Sequence, residues 1–210
     1  MKRTARTVTV LVRLTPFLVA FLRDRRRYFL FGGPAQRTAE HHAKRAERLT
    51  ARLAALGPTF IKLAQLLSSR ADILPEPYLS AIGTLQDAVP PNPADEIRRV
   101  IEGELGAPIP DVFESFDDTP LAAASLGQVH PARVEGRDVV VKVLRPGVEA
   151  SVALDLDISF RFLFWINILF PNHHVRALTA VIREFSVRVK DEMDFVKEAN
   201  PSAPAASCGR

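Results

Sequence analysis

Cysteine is all but missing from this sequence: Cys208, in a small-residue tail, is the single thiol in 210 residues. One thiol excludes an internal disulfide framework and a cysteine-based metal site, which makes a reducing compartment the default. Also missing is an unbroken hydrophobic run of membrane-spanning length. The apolar stretch near the N-terminus is interrupted by Arg13 and closed by Arg23, Arg25, Arg26 and Arg27, and no small-residue cleavage site follows it, so neither a span nor a signal peptide is expected. Basic residues interleaved with aromatics are lacking as well, which speaks against a nucleic-acid partner. His41 and His42 are neighbours and point about 100° apart on a helix, so they cannot share a metal. Together with His173 and His174, which follow a Pro-Asn turn, they read as surface residues, and no metal ligands are expected.

What is present is a globular composition, 47% hydrophobic and 25% charged, with a net charge of +4 placed unevenly. The length suits one domain with a real core, or one lobe plus an extension. Over the first 30 residues, helical spacing brings Val8, Leu11, Leu14, Leu18 and Leu22 to one side with arginines at both ends. That pattern fits a membrane surface, and equally a helix packed on the domain. Gly32-Gly33-Pro34 breaks it.

From Thr38 to Leu56 the chain reads as a basic, alanine-rich helix with Ala39, Ala43, Ala46, Leu49 and Leu53 at helical intervals. Gly57-Pro58 restarts a helix, with proline where its missing N–H costs little. In that helix Lys62, Gln65 and Ser69 share a face. Pro75 opens a short helix through Leu85, and Asn92 or Pro93 begins another through Leu105, with Ile97, Val100, Ile101 and Leu105 as its buried stripe and Gly106 as its stop. Phe113 and Phe116 are expected to pack on a sheet. Residues 148–170 read as a buried helix interrupted by Asp155, Asp157, Arg161 and Asn167, and residues 175–200 as one long helix.

Between these helices, residues 120–146, PLAAASLGQVHPARVEGRDVVVKVLRP, read as a strand, a small-residue turn, a second strand, a hairpin at Glu135-Gly136, and a third strand. If Val141 and Val143 face a core, Lys142 faces the other side of the sheet, under the turn 122–127. A backbone-lined turn over a fixed ammonium suits phosphate. The protein-kinase nucleotide loop GxGxxGxV maps onto AAASLGQV, with Ala122 and Ala124 at the first two glycine positions, Gly127 at the third, and Val129 after it. VVVKV then stands where kinases have VAIK.

The run LGPTFIKLAQLLSSRADILPEPYLSAIGTLQDAVPP, then AAASLGQVH, VVVKVLRPGV and DEMDFVKEAN, closely resembles the UbiB/AarF family of atypical kinases (ABC1-type kinase-like domain), in the family's order from about residue 49 to Asn200. The resemblance implies an α+β fold: a helical KxGQ-type extension, and a kinase-like small lobe in which an antiparallel sheet is joined by helix C. It implies ATP or ADP as cofactor, held by Ala122, Ala123, Ala124, Ser125, Leu126, Gly127, Val129 and Lys142. Glu198 would be the helix-C glutamate that pairs with Lys142 and orients it for the α- and β-phosphates. Lys62-Leu63-Ala64-Gln65 matches KxGQ except at its third position, and with Glu192 and Asp194, the family's ExD pattern, it would form a lid in which Glu192 meets Lys62. Ala64 keeps the helix intact and calls the lid's close packing into question.

The organisation expected on this basis is a basic amphipathic helical segment (1–37), a helical extension with the KLAQ motif (38–118), the small lobe (119–200) and a disordered tail (201–210). Asp194-Phe195-Val196 is not a metal-binding DFG, since it lacks the glycine and lies on the wrong element. Neither a true DFG nor an HRD-like loop occurs, so the Mg2+ ligands of the full-length family, and the large lobe that carries them, are expected to be absent. The resemblance stops at Asn200, where PSAPAASCGR begins, which reads as a truncated or frameshifted frame. The chain is thus expected to be the nucleotide-binding amino-terminal part of a kinase or ATPase with a family role in ubiquinone biosynthesis. It would be cytoplasmic and peripheral at the inner face of the membrane, with quinone-biosynthesis proteins or lipid as partners, and without phosphoryl transfer of its own. The alternative is a non-catalytic membrane-surface helical module, or an inactive remnant.

Overall fold

The computed structural model describes residues 3–25, 38–85, 89–169, 171 and 173–194. In chain order the elements are α1 (Arg3–Arg25), α2 (Ala39–Leu56), α3 (Pro58–Ser68), α4 (Tyr78–Gly83), α5 (Ala94–Leu105), α6 (Ile109–Val112), β1 (Ser115–Phe116), β2 (Ala122–Ala123), β3 (Gly127–Val134), β4 (Arg137–Leu144), α7 (Val148–Leu169) and α8 (His173–Met193). The architecture is α+β, a helical body joined to a small antiparallel sheet.

Local chemistry sets the breaks. The Thr38 hydroxyl accepts from the His41 N–H and caps α2. Gly57, at φ 96°, ends α2 and lets Pro58 start α3 at once. Gly106 closes α5 in the left-handed region. Glu135 and Gly136, at φ 49° and 72°, make the two-residue turn with both φ positive that matches strand twist. That turn sets the β3–β4 register, from Gly127 opposite Leu144 to Val134 opposite Arg137. The other edge of β3 is shared by two short strands: β1 pairs near Ala132 and Arg133, and β2 near Gln128 and Val129.

Two apolar clusters hold these layers. The larger joins α1, α2, α3, α4, α7 and α8 around Val10, Leu56, Phe60, Ala64, Val152 and Val189. The smaller packs Ile97, Ile101 and Ile109 of α5 and α6 on Val143 of β4, with Phe113 and Phe116 beside them. Leu126 and Leu144 belong to the larger cluster, so the turn before β3 and the end of β4 couple the sheet to the helical body.

Several expectations are corrected. The stripe expected on α1 faces inward only in part: Leu14 and Leu18 pack against the core, whereas Val8 is exposed and Val10, outside that stripe, is buried. The rotation is set by polar anchors. Arg6 grips the buried Asp155 carboxylate of α7 with two bonds of 2.7 Å, and Arg13 donates to the Ala55 carbonyl at 2.6 Å. Arg6, Val10, Arg13 and Phe17 therefore define the inner face. His41 and His42 are half-buried rather than free at the surface: the His42 ring lies 3.1 Å from the Tyr78 hydroxyl, and Arg45 donates to His41 Nε2. Leu105 is exposed, as are Phe164, Trp165, Ile168 and Leu169 at the end of α7, so that helix is buried only in part. The last helix ends at Met193, and the stretch assigned to its continuation, with Glu198, lies outside the described residues.

Candidate nucleotide site

The sheet has one covered face and one open face. Alternation along β3 and β4 sends Gln128, His130, Val141 and Val143 toward α5 and α6, and leaves Val129, Val140 and Lys142 on the other side. Register then makes a row. Ala122 of β2 pairs with Val129 of β3, which pairs with Lys142 of β4. The lysine and the first residue of the small-residue turn thus lie on the same face, two strand spacings apart, or about 10 Å.

The turn itself is a tight backbone structure. Ala124 N–H donates to the Gly127 carbonyl at 2.8 Å, and Leu126 reaches into the helical core. Gly127 is required by β4: a Cβ there would lie 2.6 Å from the Val143 carbonyl oxygen. The Ser125 hydroxyl is buried and, among the described residues, is the one buried side-chain polar atom without a hydrogen-bond partner.

Arg145, one residue past β4, pins this turn, and sequence reasoning did not single it out. Its N–H donates to the Leu126 carbonyl and its Nε to the Ala124 carbonyl, both at 2.9 Å. Its Nη atoms donate to Asn92 Oδ1 at 2.6 Å and to the Val89 and Pro90 carbonyls. Burial lowers the guanidinium's pKa from its usual value, and an arginine remains charged at neutral pH regardless. Asn92 N–H in turn donates to Gln128 Oε1 at 2.8 Å. That acceptor role leaves Gln128 Nε2 to donate to His130 Nε2 at 2.9 Å, so the imidazole proton sits on Nδ1 and is given to the Asp117 carbonyl at 2.8 Å. The only available signal for Arg145 was an arginine just before Pro146-Gly147, directly after the lysine strand.

The KLAQ helix faces α8. Lys62 Nζ lies 2.6 Å from Glu192 Oε1, in the last turn of α8, and both side chains are partly exposed. Gln65 Nε2 donates to the Leu85 carbonyl at 3.3 Å. Ala64 is fully buried, so its methyl group fills core space. Asp194 is half-buried just past the helix end. The structure therefore brings Lys62 and Glu192 together and puts Lys142 in one row with Ala122 and Val129. Glu198 lies outside the described residues.

An antiparallel sheet that carries a lysine under a small-residue turn, backed by helices and followed by a long helix with an acidic end, is the small lobe of a kinase-like protein. The chain belongs to the ABC1 atypical kinase-like domain family, which matches residues 84–207. The match runs past Asn200, where the sequence reading ended the resemblance. "Probable protein kinase UbiB" of Marinobacter nauticus is 38% identical over 156 residues, 74% of this chain and 28% of that protein. The chloroplastic "ACTIVITY OF BC1 COMPLEX KINASE 8" of Arabidopsis thaliana is 42% identical over 146 residues, 69% of this chain and 19% of its own length. In the solved complex of Rv3197 with erythromycin from Mycobacterium tuberculosis, a chain aligns at 34% identity with a TM-score of 0.45, over 76% of this chain and 40% of its own. The chain thus spans less than a third of the length of the curated relatives it matches.

Proposed function

We propose that this chain is the nucleotide-binding portion of a UbiB-type kinase or ATPase, with ATP or ADP lying on the open face of the sheet. The observation that carries this reading is the cross-strand row of Ala122, Val129 and Lys142. In it, the small Ala122 side chain leaves room for the ligand, Val129 offers apolar surface to the base, and Lys142 meets the α- and β-phosphates. The backbone of the turn 122–127 closes over them, held by Arg145. Glu198 steadies the Lys142 ammonium, while Lys62, Gln65, Glu192 and Asp194 form a lid from the helical side. Mg2+, when bound to the nucleotide, neutralises phosphate charge. Among the described residues no group of three or more His, Cys, Asp or Glu side chains is placed to hold a metal ion.

The test is titration with a fluorescent N-methylanthraniloyl-ADP. Lys142→Ala should weaken binding about tenfold, the loss of one charge-assisted contact, while leaving the melting temperature unchanged. Equal affinity in the variant would overturn the assignment. On the same reading the chain works in ubiquinone biosynthesis at the inner face of a membrane, beside quinone-pathway proteins or lipid. No described helix is long and apolar enough to cross a bilayer, and contact would use the exposed Val8, Val12 and Val19 of α1. Sedimentation with anionic liposomes should therefore fall in a Val8→Asp/Val12→Asp variant and with rising salt. Sedimentation unchanged by both would remove α1 from that role.

A further inference from the structure

Two polar side chains are fully buried beneath the sheet, Gln128 at 1% exposed and His130 at 0%. Both lie on the covered face, opposite Lys142, so neither can touch a ligand on the open one. Polar groups sealed in an apolar layer cost free energy unless they are bonded, and these two are bonded in a line that ends on a backbone group at each side. Asn92 N–H donates to Gln128 Oε1 at 2.8 Å, Gln128 Nε2 to His130 Nε2 at 2.9 Å, and His130 Nδ1 to the Asp117 carbonyl at 2.8 Å. A backbone N–H only donates and a carbonyl only accepts, so the line admits one arrangement of hydrogens, with a neutral imidazole.

A second proton on that ring has no acceptor. On Nε2 it would face the Gln128 amide NH2, donor against donor. Turning the amide over relieves that contact and sets the same NH2 against the Asn92 N–H. The charged groups nearby are committed elsewhere. Asp118, the carboxylate that feels His130 through space, is held by Arg98 of α5 at 2.7 and 3.0 Å, and the Asp117 carboxylate takes the Thr119 N–H. Glu96 of α5 accepts from Asn92 Nδ2 at 3.1 Å. On β4 the residue opposite His130 is Val141, and Phe116 of β1 stacks on the ring.

Asn92 carries the disturbance to the turn. Its Oδ1 accepts from Arg145 at 2.6 Å, and the Val89 and Pro90 carbonyls accept from the same guanidinium. Arg145 in turn holds the Ala124 and Leu126 carbonyls. The segment 89–92 is thus a shelf fixed to β3 by Gln128 and to the small-residue turn by Arg145. We propose that His130 is a proton-sensitive positioning residue: neutral, it holds Gln128, the shelf and Arg145 so that the turn 122–127 fits phosphate, and protonated, it releases that fit. This rests on the nucleotide reading above and adds its regulation by acid.

The experiment takes the full 210-residue chain from about pH 7.5 to about pH 5.5, the range in which imidazoles titrate. One arm reads the affinity for N-methylanthraniloyl-ADP. The other reads the His130 ring and the Ala124 and Gly127 amides by 15N NMR without nucleotide. His130→Asn keeps a donor for the Asp117 carbonyl and cannot titrate, so its profile gives the effect of the ligand's own phosphate titration. Beyond that baseline the parent chain should lose about tenfold in affinity, and the two amides should shift with the His130 midpoint. Gln128→Glu should remove the extra loss, because its carboxylate accepts from both the Asn92 N–H and a protonated Nε2. A parent profile no steeper than that of His130→Asn, or a loss in Gln128→Glu as large as the parent's, overturns the proposal. Should His130→Asn not fold, Gln128→Glu and the amides decide. If no nucleotide binds at any pH, the nucleotide reading fails by itself and the switch is judged on the amides, which overturn it if they stay unmoved through the His130 midpoint.

Discussion

Replacing Gly127 by alanine asks why the turn keeps its one glycine. In a nucleotide loop the usual reason is close approach of backbone to phosphate. Here the geometry gives a different one, because an added Cβ would sit 2.6 Å from the Val143 carbonyl oxygen, inside the 3.0 Å that real Cβ contacts essentially never breach. The obstacle is backbone and cannot swing aside, and Gly127 is paired with Leu144 in the same ladder. The end of β3 must therefore move off β4 by several tenths of an ångström. Overpacking of that size costs about 1–3 kcal/mol, and at about 2–4 °C per kcal/mol for a chain of this length the melting temperature should fall by about 2–12 °C. Gly103 supplies the internal control. It lies exposed within α5 with nothing within 4 Å of its added Cβ, so Gly103→Ala should stabilise by about 1 kcal/mol through helix propensity. Thermal unfolding followed by far-UV circular dichroism reads both signs. Should Gly127→Ala melt with the parent chain yet lose nucleotide, the glycine serves the ligand and the steric account is wrong.

Other outcomes follow from the polar contacts. Arg6→Met should destabilise by about 3–5 kcal/mol, since it leaves the Asp155 carboxylate buried without its cation, whereas a double Arg6→Met/Asp155→Leu variant should recover most of the loss in urea unfolding; no recovery would mean that the pair is not what orders α1. The Lys62 and Glu192 pair is partly exposed, so its coupling in a double-mutant cycle should be about 0.5–1 kcal/mol, and Lys62→Glu/Glu192→Lys should be more stable than either single change. A coupling of zero would detach α3 from α8 electrostatically. Hydrogen bonding from Arg98 holds the Asp118 carboxyl below its usual pKa, and Arg161 with Arg3 does the same for Asp157. Such contributions are present above the unfolded carboxylate value, near pH 4, and are lost as pH falls through the depressed folded value. Arg98→Met should therefore raise the Asp118 titration midpoint measured by NMR and flatten the acid limb of stability; an unmoved midpoint would refute the contact.

The elements that were legible in the sequence are those specified by neighbours. The alternation of β3 and β4, the turn at Glu135-Gly136 and the break at Gly57-Pro58 each depend on a few adjacent residues. The two-residue β1 escaped notice because it exists only through pairing with Ala132 and Arg133 on β3. The facing of α1 was misjudged for a related reason. Counting apolar residues weights Val8 and ignores that an arginine can be an interior anchor when a carboxylate waits on another helix, although Asp155 had stood out as a charge inside an apolar run. At the candidate nucleotide site, the side that Lys142 faces follows from strand period alone. The role of Arg145 does not, since its acceptors come from residues 89–92 and 124, brought to it only by the fold. The contact between Lys62 and Glu192 was expected from the family resemblance, because nothing in spacing links positions so far apart.

The first helix also determines where this protein can be cut. The family model's match begins at residue 84, yet Val10 shares a single apolar cluster with Phe60, Val152 and Val189, so the stretch that the model covers and the folding unit are not coextensive. A version trimmed at Thr38 to tidy a basic leader would strip the counter-ion from Asp155 and bare the inner flank of α7. Such a product would invite aggregation however complete its sequence motifs. Over evolutionary time the same arrangement ties changes in the leader to changes in a helix some 150 positions downstream, so tolerance to drift at Arg6 and at Asp155 should rise and fall together.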